Sequence, residues 1–251
     1  MRPSRREFLA LIAVTGGSGP LLGRAPRGIQ AIAFDAFVLF SPKPILERAH
    51  EIAGHMGDPL FAAASAKLFG YTWFETSAGR YVPFDELAAD AFKSTAQSLG
   101  VRLSRPDLEW LVDGYANLDI WPDVPHALLT LRRHGIRLAM LSNLSERALI
   151  ANLRSTGIAG QFEQVLSTDQ ARRYKPSPKA YELAVRAFDA QKEEIGFAAS
   201  ASWDAAGATW FGFPTVWVNR NALPGEPPHA QPKLVSNGMG GVLQLAGLVT
   251  P

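Results

Sequence analysis

The chain has no cysteine among its 251 residues. That excludes a disulfide scaffold, thiolate zinc ligation and a cysteine nucleophile. No apolar run reaches about 18 residues, so no transmembrane helix is expected and the mature chain should have no membrane partner. Net charge is only +2, and much of the excess sits in the N-terminal segment, which argues against a nucleic-acid partner. Histidine is scarce. His50, His55, His126, His134 and His229 show no metal-ligand spacing, and no Ser-His-Asp arrangement stands out. The Gly238-Met239-Gly240-Gly241 string shows no preceding strand or following helix in the pattern, so it reads as loop rather than a phosphate cradle.

What is present is an ordinary globular balance, 47% hydrophobic and 19% charged, which excludes intrinsic disorder and coiled coil. A chain of this length buries a full core without covalent staples.

Residues 1–25 stand apart. Ser4-Arg5-Arg6-Glu7-Phe8-Leu9 leads into a short apolar run ending at Val14, followed by Thr15-Gly16-Gly17-Ser18-Gly19-Pro20. A charged start, a short apolar middle and a polar exit make a signal peptide. The S-R-R-x-F-L string resembles the bacterial twin-arginine signal. The expectation is a periplasmic or exported protein, cleaved near residues 24–25, and a cytoplasmic one if the signal is not functional.

The body alternates strand and helix. Short apolar runs at residues 29–34, 136–141, 195–198 and 215–218 read as buried strands, with a weaker candidate at 162–166. Tyr181, Ala184, Val185 and Phe188 follow helical spacing, as do Val124, Ala127, Leu128 and Leu131. Such alternation predicts an α/β fold, a doubly wound parallel sheet with a Rossmann-like core. Residues 41–117 break the alternation with helical patterns and no convincing strand. They read as an inserted helical cap, leaving 26–40 and 118–251 as the core domain. Residues 219–251 are rich in Gly and Pro and read as mostly loop, with one short element at 242–245.

Ligands in such sheets bind beyond the carboxyl ends of the strands. Asp35 follows the first strand, Ser142 and Asn143 end the second, and Ser200, Ser202 and Asp204 lie just past the third. Lys175 sits in a loop before the Tyr181 helix. In this order the residues resemble the four motifs of the haloacid dehalogenase superfamily, and within it the type II L-2-haloacid dehalogenases. The strings that carry the resemblance include Phe34-Asp35-Ala36-Phe37, Leu141-Ser142-Asn143, Tyr174-Lys175-Pro176, Trp203-Asp204-Ala205-Ala206-Gly207-Ala208 and, in the cap, Tyr71-Thr72-Trp73.

The resemblance implies a hydrolase acting on a small 2-haloalkanoic acid. Asp35 would displace halide to form an aspartyl ester, which water hydrolyses to a 2-hydroxy acid. Lys175 would keep Asp35 ionised, and Asp204 would pair with Lys175 and orient water. Ser142 would hold the substrate carboxylate and Asn143 the leaving halide. Phe37, Trp203 and Trp73 are candidate lining, and Tyr181 is a further candidate substrate contact. No metal or cofactor is required. A homodimer formed on the cap side is implied, for which Trp110, Leu111 and Trp121 are candidates.

The sequence departs from the family pattern at several positions. The cap arginine that serves the halide falls on Ser65, with Lys67 nearby as a partial substitute. The hydrolytic serine and a following asparagine fall on Ala199 and Ala201. The tyrosine two places after Asp35 is Phe37, and the next Gly-Thr is Val38-Leu39. These losses raise the alternative of a non-catalytic or altered-substrate descendant. A magnesium-dependent phosphatase fits less well. Phe37 cannot act as the general acid expected two places after the nucleophile, and no second acidic residue stands before Asp204.

Overall fold

The computed structural model describes residues 28–225 and 231–249. The export signal expected over residues 1–25 lies outside the described residues.

The chain enters through β1 (Ala31–Phe34), whose four residues are all buried. Such a strand has no solvent face, which explains its unbroken apolar run. After Asp35 come a one-turn helix α1 (Ala36–Leu39), a short strand β2 (Phe40–Ser41), and four helices: α2 (Lys43–Ala53), α3 (Gly57–Ser77), α4 (Phe84–Leu99) and α5 (Arg105–Asp113). The chain returns through β3 (Asp119–Ile120), then α6 (Val124–Arg133) and β4 (Arg137–Ser142). It continues as α7 (Glu146–Ser155), β5 (Gln164–Ser167), α8 (Pro178–Phe188), β6 (Ile195–Ala199), α9 (Ser202–Phe211), β7 (Thr215–Val218), β8 (Leu234–Ser236) and α10 (Gly240–Leu245).

Six strands form a parallel sheet in the order β5-β4-β1-β6-β7-β8. Alternate residues serve two cores. Ile32, Phe34, Leu138 and Met140 face α6, α7 and α10, through Leu128, Leu149 and Val242 among others. Ala31, Ala33, Ala139 and Phe197 face α8 and α9, through Tyr181, Ala184 and Ala208. The small alanines let those two helices approach the sheet closely. β1 lies at the centre, so Asp35 emerges in the middle of the carboxyl edge.

One feature adds to the expected outline and one expectation is corrected. The helical insertion is bounded by a small antiparallel ribbon, with Phe40 opposite Ile120 and Ser41 opposite Asp119. The ribbon makes the chain leave and re-enter the core side by side. The C-terminal stretch expected to be mostly loop adds the sixth strand, β8, so the Gly238–Gly241 string does have a strand before it and runs into a helix. That helix has six residues.

Among the described residues no helix is long and apolar enough to cross a membrane. Of the three residues considered for a dimer contact, Leu111 is fully buried inside the chain and Trp121 is half-buried beneath the Arg220 guanidinium. Trp110 alone of the three is exposed.

Candidate active site

Asp35 sits where β1 gives way to α1. Its backbone N–H still bonds to Ala198 O on β6 at 2.9 Å, so the sheet fixes its position. Its carboxylate also caps α1, accepting from the Phe37 N–H at 3.1 Å. The cap function is therefore real, but other donors converge on the same group. Lys175 Nζ lies 2.8 Å from Oδ1, which also accepts from the Ser142 hydroxyl at 3.3 Å. Oδ2 accepts from the Ser200 hydroxyl at 2.6 Å.

Lys175 is 1% exposed. A buried ammonium is costly unless all its protons are bonded. This one donates to Asp35, to Asp204 Oδ2 at 2.6 Å and to Leu141 O at 3.2 Å, using all three. Asp204 stands in the first turn of α9, and its Oδ1 accepts from the Tyr181 hydroxyl at 2.7 Å. Gly207 lets α9 reach this depth. A Cβ there would lie 2.5 Å from the Pro176 side chain and 2.7 Å from the Tyr181 hydroxyl.

One ammonium between two carboxylates drives their acidities apart. Burial pushes the Asp35 carboxyl up, but the Lys175 charge and the bonds from Lys175, Ser200 and Phe37 N–H outweigh it, and the net shift is downward. For Asp204, burial and the neighbouring Asp35 charge outweigh Lys175 and Tyr181, and the carboxyl is pushed up to about 6. Burial lowers the Lys175 ammonium, while the two carboxylates raise it further, for a net rise. Asp35 is thus held ionised, and Asp204 is poised to take or give a proton near neutrality.

A void of about 20 Å³ lies over this cluster, lined by Asp35, Phe37, Asn143, Ser200, Trp203 and Asp204 among others. It holds roughly one water-sized group. Asn143 Oδ1 is committed to the Lys175 N–H at 3.0 Å, which fixes the amide orientation. The Asn143 Nδ2 donor is buried and has no partner among the described residues.

Most residues singled out from sequence therefore meet here: Asp35, Ser142, Asn143, Lys175, Asp204, Phe37 and Trp203. Tyr181 is different. It is fully buried, lines neither this void nor the larger cavity beside it, and its hydroxyl donates to Asp204. Trp73 is 39% exposed and packs edge-on against Trp203 at 5.6 Å, outside the lining. Lys67 lies over the Tyr71 ring and does not replace the absent cap arginine in the lining of either cavity. Ser200 is a further contact. It stood among polar residues past the third strand, but only the β1–β6 register brings its hydroxyl onto Asp35. Among the described residues, no group of three or more His, Asp or Glu side chains is gathered for a metal ion.

The haloacid dehalogenase-like hydrolase family model matches residues 24–212. The chain is 37% identical over 193 residues to an (S)-2-haloacid dehalogenase of Pseudomonas sp. (strain YL), covering 76% of this chain and 83% of that one. It is 34% identical to haloacetate dehalogenase H-2 of Moraxella sp. (strain B), covering 77% and 87% respectively. The solved structure of the L-2-haloacid dehalogenase RSc1362 superposes with a TM-score of 0.85 at 34% identity, over 88% of this chain and all of that one. The strand-end cluster, the sheet order and these matches agree, and the chain belongs to the haloacid dehalogenase-like hydrolase family.

Proposed function

We propose that this chain displaces halide from 2-haloalkanoic acids of S configuration through an ester on Asp35, giving a 2-hydroxy acid. The observation that carries the reading is the Asp35 carboxylate, held ionised by Lys175 at the floor of a void that also presents an unpartnered donor, Asn143 Nδ2.

An Asp35 oxygen bonds to C2 as the carbon–halogen bond breaks, and halide leaves with the bonding pair. Attack from the side opposite the halogen inverts the carbon. The Ser142 hydroxyl and the backbone N–H groups past β4 hold the substrate carboxylate, while Asn143 Nδ2 donates to the departing halide. Water then attacks Cγ of the ester, and one of its protons passes to Asp204. The alkoxide departs with that proton, returned by Asp204, and Asp35 regains its charge as the second proton of the water is lost to solvent. Asp204 suits this step because its carboxyl sits near 6. Phe37 and Trp203 keep bulk water from the nucleophile, with α2–α5 serving as the cap. In the same reading residues 1–25 direct export, and Trp110 offers the cap side for self-association.

The test is halide release from racemic 2-chloropropionate. Consumption should stop at half of the racemate, leaving the R acid, and Asp35→Asn should release none. A folded protein that releases no halide at millimolar substrate over hours contradicts the reading.

A further inference from the structure

Beside the void over Asp35 lies a second cavity of about 370 Å³, within the usual size of a small-molecule site. The two share Phe37, Phe69, Phe84, Ser200 and Ala201. Much of the remaining wall is apolar, including Ile45, Phe61 and Leu68. Two small residues border it: Ser65 on α3, and Ala201 just before α9. These are the positions where the family pattern carries an arginine and an asparagine. The cation that does touch this cavity, Arg220, bonds through its terminal nitrogens to Asp123 at 2.9 Å and to Val38 O at 3.1 Å, and its buried Nε has no partner among the described residues.

Placement relative to the nucleophile assigns the cavity a role. Ser142, Asn143 and Lys175 line the void but not the cavity, whereas Ser200 and Ala201 line both. The polar ends of a haloacid are claimed on the Ser142–Asn143 side. The void itself has room for roughly one water-sized group. With the polar ends placed there, a C2 substituent has no room in the void and is directed past Ser200 and Ala201 towards the apolar space.

We propose that this cavity receives the C2 substituent, and that the chain selects 2-haloacids carrying an apolar chain of about six carbons or a benzyl group over haloacetate and 2-halopropionate. The inference rests on the dehalogenase reading above and adds the substrate class. Ser65 and Ala201 are then specificity-determining residues: the space that an arginine and an asparagine side chain would fill is given to substrate.

The experiment compares kcat/KM for halide release from 2-bromopropionate, 2-bromooctanoate and 2-bromo-3-phenylpropionate, using purified full-length protein. Each methylene buried is worth about fourfold in binding. The octanoate and phenylpropionate should exceed the propionate by at least thirtyfold. Ser65→Phe, which fills the cavity, should cut that ratio at least tenfold, and the milder Ser65→Leu should cut it less. A ratio near one, or a ratio that neither variant changes, overturns the inference while leaving the dehalogenase reading intact. Should no bromoacid release bromide, the dehalogenase reading fails and calorimetric titration with octanoate and propionate decides the cavity. Tighter octanoate binding that Ser65→Phe abolishes upholds an apolar-chain site, and equal binding of the two acids overturns it.

Discussion

The Ser200 hydroxyl lies 2.6 Å from Oδ2 of Asp35. It puts a donor on the nucleophile from the loop where the family's hydrolytic serine and asparagine have become Ala199 and Ala201. Ala199 is fully buried against the α8–α9 side of the sheet, so the neighbouring Ser200 supplies the hydroxyl at this edge.

The first prediction follows from that substitution. Asp35, Ser142 and Lys175 remain for attack, whereas the polar groups expected around the hydrolytic water are reduced. Halide release should show a burst of about one per enzyme followed by slow turnover, the sign of an accumulating covalent intermediate. Ser200→Ala should slow the second phase further, by roughly a hundredfold, the lower end of the range for losing an oriented donor. Ala199→Ser with Ala201→Asn should speed it. Rapid-quench measurement of halide reads both phases, and a slow phase unaffected by Ser200→Ala would show that the hydroxyl plays no part in hydrolysis.

Acidity behaviour gives a second. Asp204 must be ionised to accept a proton, so the slow phase should rise with pH through about 6, where its carboxyl titrates. Tyr181 donates to the ionised form and holds that value down. Tyr181→Phe should therefore shift the acid limb to higher pH, lowering the rate at pH 6 more than at pH 8. A purely structural role for Tyr181 would lower both equally.

Lys175→Met tests the buried ion cluster. It leaves Asp35 and Asp204, 6% and 1% exposed, without their cation. Removing one partner of a buried pair costs about 3–5 kcal/mol. Urea unfolding at pH 7 should show that loss, together with loss of halide release. Without the ammonium both carboxyls rise above their unfolded values, so the folded variant binds protons more tightly than its unfolded chain. Its deficit should narrow as pH falls from 6 towards 4, whereas a pH-independent deficit would point to packing alone.

Much of the site was legible because its chemistry sits at the ends of buried strands or just past them. β1, β4, β6 and β7 announce themselves as apolar runs; Asp35 follows β1 directly, Ser142 ends β4 with Asn143 next, and Asp204 stands in the first turn of the helix after β6. Lys175 was legible through its order among these motifs. The longest helix, α3, was not. It buries Leu60, Ala64, Leu68 and Thr72 on one face yet carries Phe61, Phe69, Trp73 and Phe74 on others, so no single apolar stripe marks it. β8 was missed because it has three residues at the sheet edge, and Val235 is 57% exposed. Ser200 was left off the nucleophile because serine is common after strands, and only strand register says which hydroxyl reaches which carboxylate. The cavity beside Asp35 depends on absent side chains at Ser65 and Ala201, which sequence shows as losses rather than as space.

Export is a separate expectation, resting on Ser4-Arg5-Arg6-Glu7-Phe8-Leu9. Replacing Arg5 and Arg6 by Lys should retain the protein in the cytoplasm of a host with the twin-arginine machinery. Fractionation of cells lacking that machinery provides the check, and unchanged export there would contradict the assignment.

The central claim is that Asp35 itself bonds to the substrate carbon, and single turnover in ¹⁸O-enriched water tests it most directly. With enzyme in excess over 2-bromoacid, the product hydroxyl oxygen should come from Asp35, so the first product is unlabelled. Mass spectrometry should then find one ¹⁸O in the peptide containing Asp35. Label in the first product, with none in that peptide, would mean that water attacks carbon directly and would contradict the ester mechanism.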